Sequence, residues 1–433
     1  MTVDNETAIS GSTWYSRLLA GPLGPAIGLR KNELPLRSFD AGGTKPLNWS
    51  GLQTASDSTV SVPEAPASAL SAARLPSLDA VRGIAILIVV VHHVTQACWP
   101  SASAHSSAIR KLLYTGWIGV DLFFVLSGFL ITGILLDTKN SPRYFRSFYA
   151  RRVLRIFPLY YVVLSLILLA ADNSWRIGQL VPKPELWKWY YLYLNNWLGP
   201  DLAPNIIGHF WTLAIEEQFY VLWPLAVCLL PRRFIAYACL GGIALSVGVS
   251  EFITVSHSSL DLLRNTVTRG FPTLLTGAVL ACVVRDHPLG SKARKWIYAA
   301  GAFCLVTFVL GEYLPKQPQI WELTWPLRLA IGFGAIVLFA FVKDQQMRKT
   351  GGLLGSTILR NCGKYSYGIY VYHVPILGVG LLILPHFFRD IGRSTVASAL
   401  YDCGVMLVTY AVAFLSFHLF EKRLLSFKRY FTA

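Results

Sequence analysis

The chain has 433 residues, 54% of them hydrophobic and 14% charged, with a formal net charge of +16. Soluble domains carry about a quarter charged residues, so a water-soluble multidomain protein is excluded, and several apolar runs are long enough to cross a bilayer core of roughly 30 Å as helix. The basic balance calls for no nucleic-acid partner, because Lys and Arg between apolar spans are what the positive-inside rule produces.

Residues 1–75 are rich in Ser, Ala, Gly, Pro and Thr and are expected to form a disordered cytoplasmic tail. Apolar runs begin only near Val81, so no cleavable signal peptide is expected. From there the predicted spans lie near 81–98, 112–136, 156–171, 210–230, 233–254, 270–284, 297–313, 324–342, 365–384 and 400–420. Lys139, Arg143, Arg146, Arg151, Arg152 and Arg155 assign the loop between the second and third spans to the cytoplasm. The later basic groups, from Arg232 to Arg429, fall on the same side provided that the aromatic stretch Trp187–Trp197 does not cross. Short and rich in Trp and Tyr, that stretch reads as an interfacial or re-entrant segment. The predicted fold class is therefore an all-α polytopic membrane protein with about ten transmembrane helices and both termini cytoplasmic, residues 76–430 forming one integral-membrane domain. The seven cysteines are scattered without CxxC or metal-like spacing, and neither disulfides nor a metal site is expected.

Five segments carry candidate chemistry. In the first span, Arg82 and His93 are eleven residues apart, three helical turns plus about 20°, so they share a face but are separated by about 16 Å along the axis. Arg82 would then lie near the cytoplasmic end, placed to grip a charged donor, with His93 deep in the membrane. The alternative is a topology anchor and a satisfied polar residue. His92 points about 100° away and is the weaker candidate. Asp121, in Gly119-Val120-Asp121, is an acid costly inside a span unless paired. Arg151 and Arg155, four apart, share a helical face and would suit a donor carrying several phosphates; a topology signal is the competing reading. His209, Glu216 and Tyr220 line one face if their segment is helical throughout, a stripe able to hold a sugar hydroxyl or orient a base. Ser366, Tyr367, Tyr370 and His373 close the series.

These motifs, in this order, resemble the membrane acyltransferase-3 family. The arginine–ten residues–histidine signature matches Arg82 to His93. Gly119-Val120-Asp121 to Ser127-Gly128-Phe129-Leu130, Arg151-Arg152 to Pro158, His209-Phe210-Trp211 to Tyr220, Ser366-Tyr367 to His373, and Phe420-Glu421-Lys422 follow. The likeness covers roughly residues 75–430. It departs at Arg423, where the family has Pro, and near Arg269, to which no role is carried over. Some family members have an appended soluble hydrolase-like domain; this chain, ending at Ala433, is expected to have none.

The resemblance implies an O-acyltransferase in a bacterial inner (plasma) membrane, moving an acyl group, most often acetyl, from a coenzyme A thioester to a hydroxyl of a polysaccharide, glycolipid or other carbohydrate acceptor. Its partners would be membrane lipid, acyl-CoA as cosubstrate and the acceptor, with no permanently bound cofactor. His93 would be the general base, or carry a covalent acyl group, with Glu216 orienting the acceptor or an imidazole. Arg82, Arg151 and Arg155 would bind the donor. Asp121, His209, Tyr220, Tyr367 and His373 would contact substrate. The competing classes are a proton-relaying transporter, against which no inverted repeat is visible, and a membrane module of a polymer-export machine.

Overall fold

The structure, a computed structural model, describes residues 75–98, 112–198, 206–256, 265–286, 289–313, 319–346, 352–383 and 395–432. The expected tail, residues 1–75, lies almost wholly outside the described residues. Ten main helices follow one another: α1 Pro76–Cys98, α2 Ile118–Thr138, α3 Tyr144–Asn173, α4 Trp211–Leu229, α5 Arg232–Ser256, α6 Phe271–Asp286, α7 Ser291–Tyr313, α8 Gln319–Gln345, α9 Ser366–Ile383 and α10 Thr395–Ser416. They fall on the ten predicted spans. Among the described residues there is no strand, and eight helices are long and apolar enough to cross a membrane. The other two are the 16-residue α6 and the apolar but shorter α9.

Burial runs opposite to that of a soluble protein. Leu166, Leu245, Phe303 and Leu407 face outward with 61–70% of their surface exposed, while Asp121, Thr132, Thr273 and His373 are fully enclosed. Outward Leu and Phe with inward carboxylate and imidazole is the arrangement hydrocarbon solvent favours, since a polar side chain facing lipid has no partner. The protein is an integral, multi-pass membrane protein.

Side-chain contacts bring to one side the helix ends that charge assigns to the cytoplasm. The Asp344 carboxylate at the end of α8 accepts from the backbone N–H of Ser77 at 2.9 and 3.1 Å. It thereby caps the positive end of α1. Arg285 at the end of α6 pairs with Asp137 at the end of α2 through bonds of 2.8 and 3.0 Å. Arg232, opening α5, bonds Asp286 at 2.7 Å. Lys139 donates to the carbonyls of Val227 and Leu230, closing α4. This clustering is the up-and-down order that the alternating charge demands.

Two glycine crossings set how closely the core helices approach. A Cβ on Gly128 of α2 would overlap the Leu274 carbonyl of α6, and one on Gly277 would overlap Val125 O in return. Gly83 of α1 and Gly363 of the short helix Thr357–Lys364 meet the backbones of Leu359 and Asp79 in the same way. In lipid, where helix association depends on van der Waals contact, such small-residue crossings hold a bundle together.

The stretch Trp187–Trp197 does not cross. Its only α-helical part is Trp187–Tyr191. It dips among the helices instead: Tyr160 OH donates to Tyr190 O at 2.8 Å, and Gln218 Nε2 on α4 donates to Tyr193 O at 2.8 Å. Tyr193 stacks on Tyr160 with ring centroids 4.2 Å apart and adopts a left-handed φ of 53°, which a bulky residue takes only where packing enforces it. All seven cysteines are free thiols.

Candidate active site

Two cavities sit among α1, α2, α3, α4, α9 and the chain after α10. The inner one, about 100 Å³, is walled by Arg82, Arg152, Arg155, Ser127, Glu216, Glu217, Tyr220, Thr212, Tyr367 and Tyr370. The outer one, about 290 Å³, shares Arg82, Arg155 and Tyr367 with it. The two therefore adjoin at an arginine-lined neck.

Arginine identity departs from the predicted face. Arg152, not Arg151, joins Arg155 on the inner cavity wall, its guanidinium 5.3 Å from the Tyr220 ring centroid. Arg151 turns away and donates through Nε to the Phe431 carbonyl at 2.7 Å. Spacing alone cannot separate the two, because residues three and four positions before Arg155 both neighbour it on a helix. Arg82 lines both cavities and is held by Asp79 at 3.1 Å.

Along the middle of the inner cavity runs a hydroxyl chain. Tyr220 OH donates to Ser127 Oγ at 3.1 Å, and Ser127 Oγ donates to Glu216 Oε1 at 2.6 Å. The Glu216 oxygen thus takes its hydrogen bond from a serine of α2 and not from an imidazole. His209 leaves the Glu216 stripe because Gly208–Phe210 is a 3₁₀ turn and α4 begins only at Trp211. A 3₁₀ turn advances about 120° per residue in place of 100°, enough to swing His209 toward α1 and α9.

There it meets two further imidazoles. Ring centroids of His93 and His373 are 4.9 Å apart, those of His209 and His373 4.8 Å, and those of His93 and His209 6.4 Å. Their hydrogen bonds set the tautomers. His93 Nδ1 lies 2.9 Å from Val89 O, and a carbonyl only accepts, so Nδ1 carries the hydrogen. His373 Nδ1 lies 2.7 Å from Tyr370 O and is a donor for the same reason. The remaining lone pair of neutral His373, on Nε2, faces His93 Nδ1 at 3.4 Å. His209 Nε2 donates to the same Tyr370 carbonyl at 3.0 Å. His93 is thereby left with a basic Nε2. Pro375 has no N–H to give the carbonyl of Val371, one residue beyond the Tyr370 carbonyl that both His209 and His373 bond. His92 is edge-on to Tyr114 and borders the group at 5.2 Å from His93.

Tyr370 joins cluster and cavity. Its hydroxyl donates to His209 O at 2.7 Å and lies 2.5 Å from Thr212 Oγ1, and both Tyr370 and Thr212 line the inner cavity. Tyr367, also on that wall, is fixed by donating to Ile156 O at 2.8 Å.

Asp121 is not on the cavity wall. It is fully enclosed and bonds Arg269 Nη2 at 3.1 Å. The Arg269 guanidinium lies 4.5 Å from the ring centroid of Trp117, 5.6 Å from that of Trp211 and 5.5 Å from that of Trp325. Arg269 was without a role on sequence grounds. The missing signal is tertiary, since the pair is 148 residues apart, although an unpartnered acid in a span was itself a call for a cation. Among the described residues no group of His, Cys, Asp and Glu is placed to hold a metal ion.

Fold and site together define a multi-pass helical membrane protein with a cationic, titratable interior. The family model described as "Acyltransferase domain" (Acyl_transf_3) matches residues 75–418, and the chain belongs to that family of membrane acyltransferases. Among curated relatives, it is 26% identical over 367 residues to the peptidoglycan O-acetyltransferase OatA of Listeria monocytogenes, covering 80% of this chain and 55% of that protein. It is 29% identical over 373 residues to a Bacillus subtilis protein named "Putative peptidoglycan O-acetyltransferase YrhL", covering 80% and 54%. The chain thus spans about half the length of these relatives. No solved structure matches it.

Proposed function

We propose that this protein is a membrane O-acetyltransferase that takes an acetyl group from cytoplasmic acetyl-CoA and delivers it to a hydroxyl of a cell-envelope carbohydrate. The observation that carries the reading is the order of groups along α1. Arg82 lines both cavities, while His93, about 16 Å further along the axis, belongs to the imidazole cluster behind the Tyr370–Thr212 wall. A donor with phosphates at one end and a reactive thioester at the end of a long arm fits that separation. The names of the relatives support acetyl as the group and a glycan such as peptidoglycan as the acceptor.

In this reading Arg82, Arg152 and Arg155 hold the diphosphate, arginine forks matching phosphate oxygens. Glu216, Ser127 and Tyr220 line the passage of the arm. His93 Nε2 removes the proton from the acceptor hydroxyl as its oxygen attacks the thioester carbonyl. The C–S bond then breaks, and the departing thiolate takes the proton back from the imidazolium. His373 and Val89 O hold the His93 ring so that Nε2 is the basic nitrogen. General-base catalysis of this kind is worth about 10²- to 10⁴-fold.

The test is transfer from labelled acetyl-CoA in membranes holding wild type or His93→Ala at equal amounts. Base-labile label on carbohydrate with wild type alone supports the reading. Equal transfer by both would remove His93 from the chemistry, and substrate-driven proton flux without ester would replace the enzyme with a transporter.

A further inference from the structure

The outer cavity presents more basic side chains than the diphosphate needs. Beyond the shared Arg82 and Arg155 it is lined by Lys364 and Lys428, against only two carboxylates, Asp79 and Glu421. Asp79 is already engaged by Arg82, and Glu421 accepts from Ser416 Oγ at 3.2 Å. Arg155 and Lys428 form no ion pair with any carboxylate of the described residues. Lys364 leans on the rings of Tyr365 and Phe417, its Nζ 4.9 Å from each centroid.

Lys428 comes from the segment after α10, and that segment is anchored. The Phe431 carbonyl accepts from Arg151 Nε at 2.7 Å and from Ser147 Oγ at 3.0 Å, and the Arg146 guanidinium lies 5.8 Å from the Phe431 ring centroid. Arg151 thus ties the segment that carries Lys428 to α3.

We propose that Lys428, with Lys364 beside it, binds the 3′-phosphate of the coenzyme A ribose. This rests on the donor reading above. The order of groups supports it. From the inside outward the walls present hydroxyls and Glu216, then the arginine neck, then the lysine pair. Coenzyme A presents its arm, then its diphosphate, then the ribose carrying a phosphate monoester. Lysine, a compact point charge, serves a monoester dianion, whereas the paired oxygens of a diphosphate favour arginine forks. The same two lysines could take a lipid-headgroup phosphate, and the test separates the two sources.

The full chain is purified into phosphatidylcholine nanodiscs, and equilibrium binding of CoA and of 3′-dephospho-CoA is measured for wild type, Lys428→Gln and Lys428→Arg. Loss of one charge-assisted contact is worth about tenfold in Kd. Wild type is expected to prefer CoA over dephospho-CoA by about that factor. Lys428→Gln is expected to lose the preference by weakening for CoA alone, and Lys428→Arg to keep it. A preference unchanged in Lys428→Gln overturns the assignment and leaves the donor reading standing. Failure of wild type to bind either nucleotide removes both. If wild type binds CoA without preference the proposal fails, and weakening of that binding by phosphatidylglycerol in the disc for wild type but not for Lys428→Gln then assigns the lysine to a lipid headgroup.

Discussion

Removing either partner of the Asp121–Arg269 pair strands a charge inside the bundle. The Asp121 side chain has no exposed surface and that of Arg269 is 17% exposed. Breaking a buried pair from one side costs about 3–5 kcal/mol, whereas replacing both members by apolar residues is often near neutral. Arg269 additionally loses its contacts with three Trp rings, each worth about 0.5–2 kcal/mol when desolvated, so its loss is the more severe. Expected outcomes are a large drop in thermal stability for Asp121→Leu, a larger one for Arg269→Met, and a double variant more stable than the sum of the two losses. The assay is thermal unfolding of the detergent-purified protein, followed by monodispersity on gel filtration, in a double-mutant cycle. Additive losses, or single losses within about 0.5 kcal/mol of wild type, would show that the pair is not a coupled interior contact.

Three other perturbations follow from the geometry. Gly128→Val puts a branched side chain where the Leu274 carbonyl lies and is expected to abolish folded protein, whereas Gly241→Ala, at an α5 glycine with nothing within 4 Å, should leave yield unchanged. Equal yields would refute the tight α2–α6 crossing. His373→Ala removes the acceptor facing His93 Nδ1; transfer is expected to fall about tenfold, the worth of one hydrogen bond of about 1.4 kcal/mol, with unchanged donor KM, and a KM effect alone would make His373 a binding residue instead. Asp344→Ala uncaps α1, a loss of about 1 kcal/mol readable as a lower melting temperature without loss of donor binding.

Much of the fold was legible because lipid makes the apolar pattern nearly one-dimensional. Ten runs gave ten helices, and the Trp187–Trp197 stretch betrayed itself by being short and aromatic. Same-helix relations were legible too: Arg82 and His93 do share α1 and sit at opposite ends of the site. What escaped was register at the level of one residue and pairing between distant spans. Arg152 replaced Arg151 on the wall because spacings of three and four are both helical neighbours. His209 left the Glu216 stripe because of a 3₁₀ turn that no breaker residue signals apart from Gly208. Asp344 and Ser77, 267 residues apart, and Arg269 and Asp121 are joined only by tertiary packing. Lys428 reads in the sequence as one more topology charge, and only the contacts of Phe431 with α3 show that its segment reaches the cavity.

The central claim, that an acetyl group passes from the basic cavity to an acceptor activated at His93, is tested most directly by acetyl transfer in membranes. Wild type is compared with His93→Ala and with His92→Ala at matched protein levels, with labelled acetyl-CoA as donor. Base-labile label on carbohydrate is expected for wild type, with loss of about 10²-fold or more for His93→Ala while CoA still binds. His92→Ala, whose ring only borders the cluster, should retain most of the transfer. Undiminished transfer by His93→Ala would remove His93 from the chemistry.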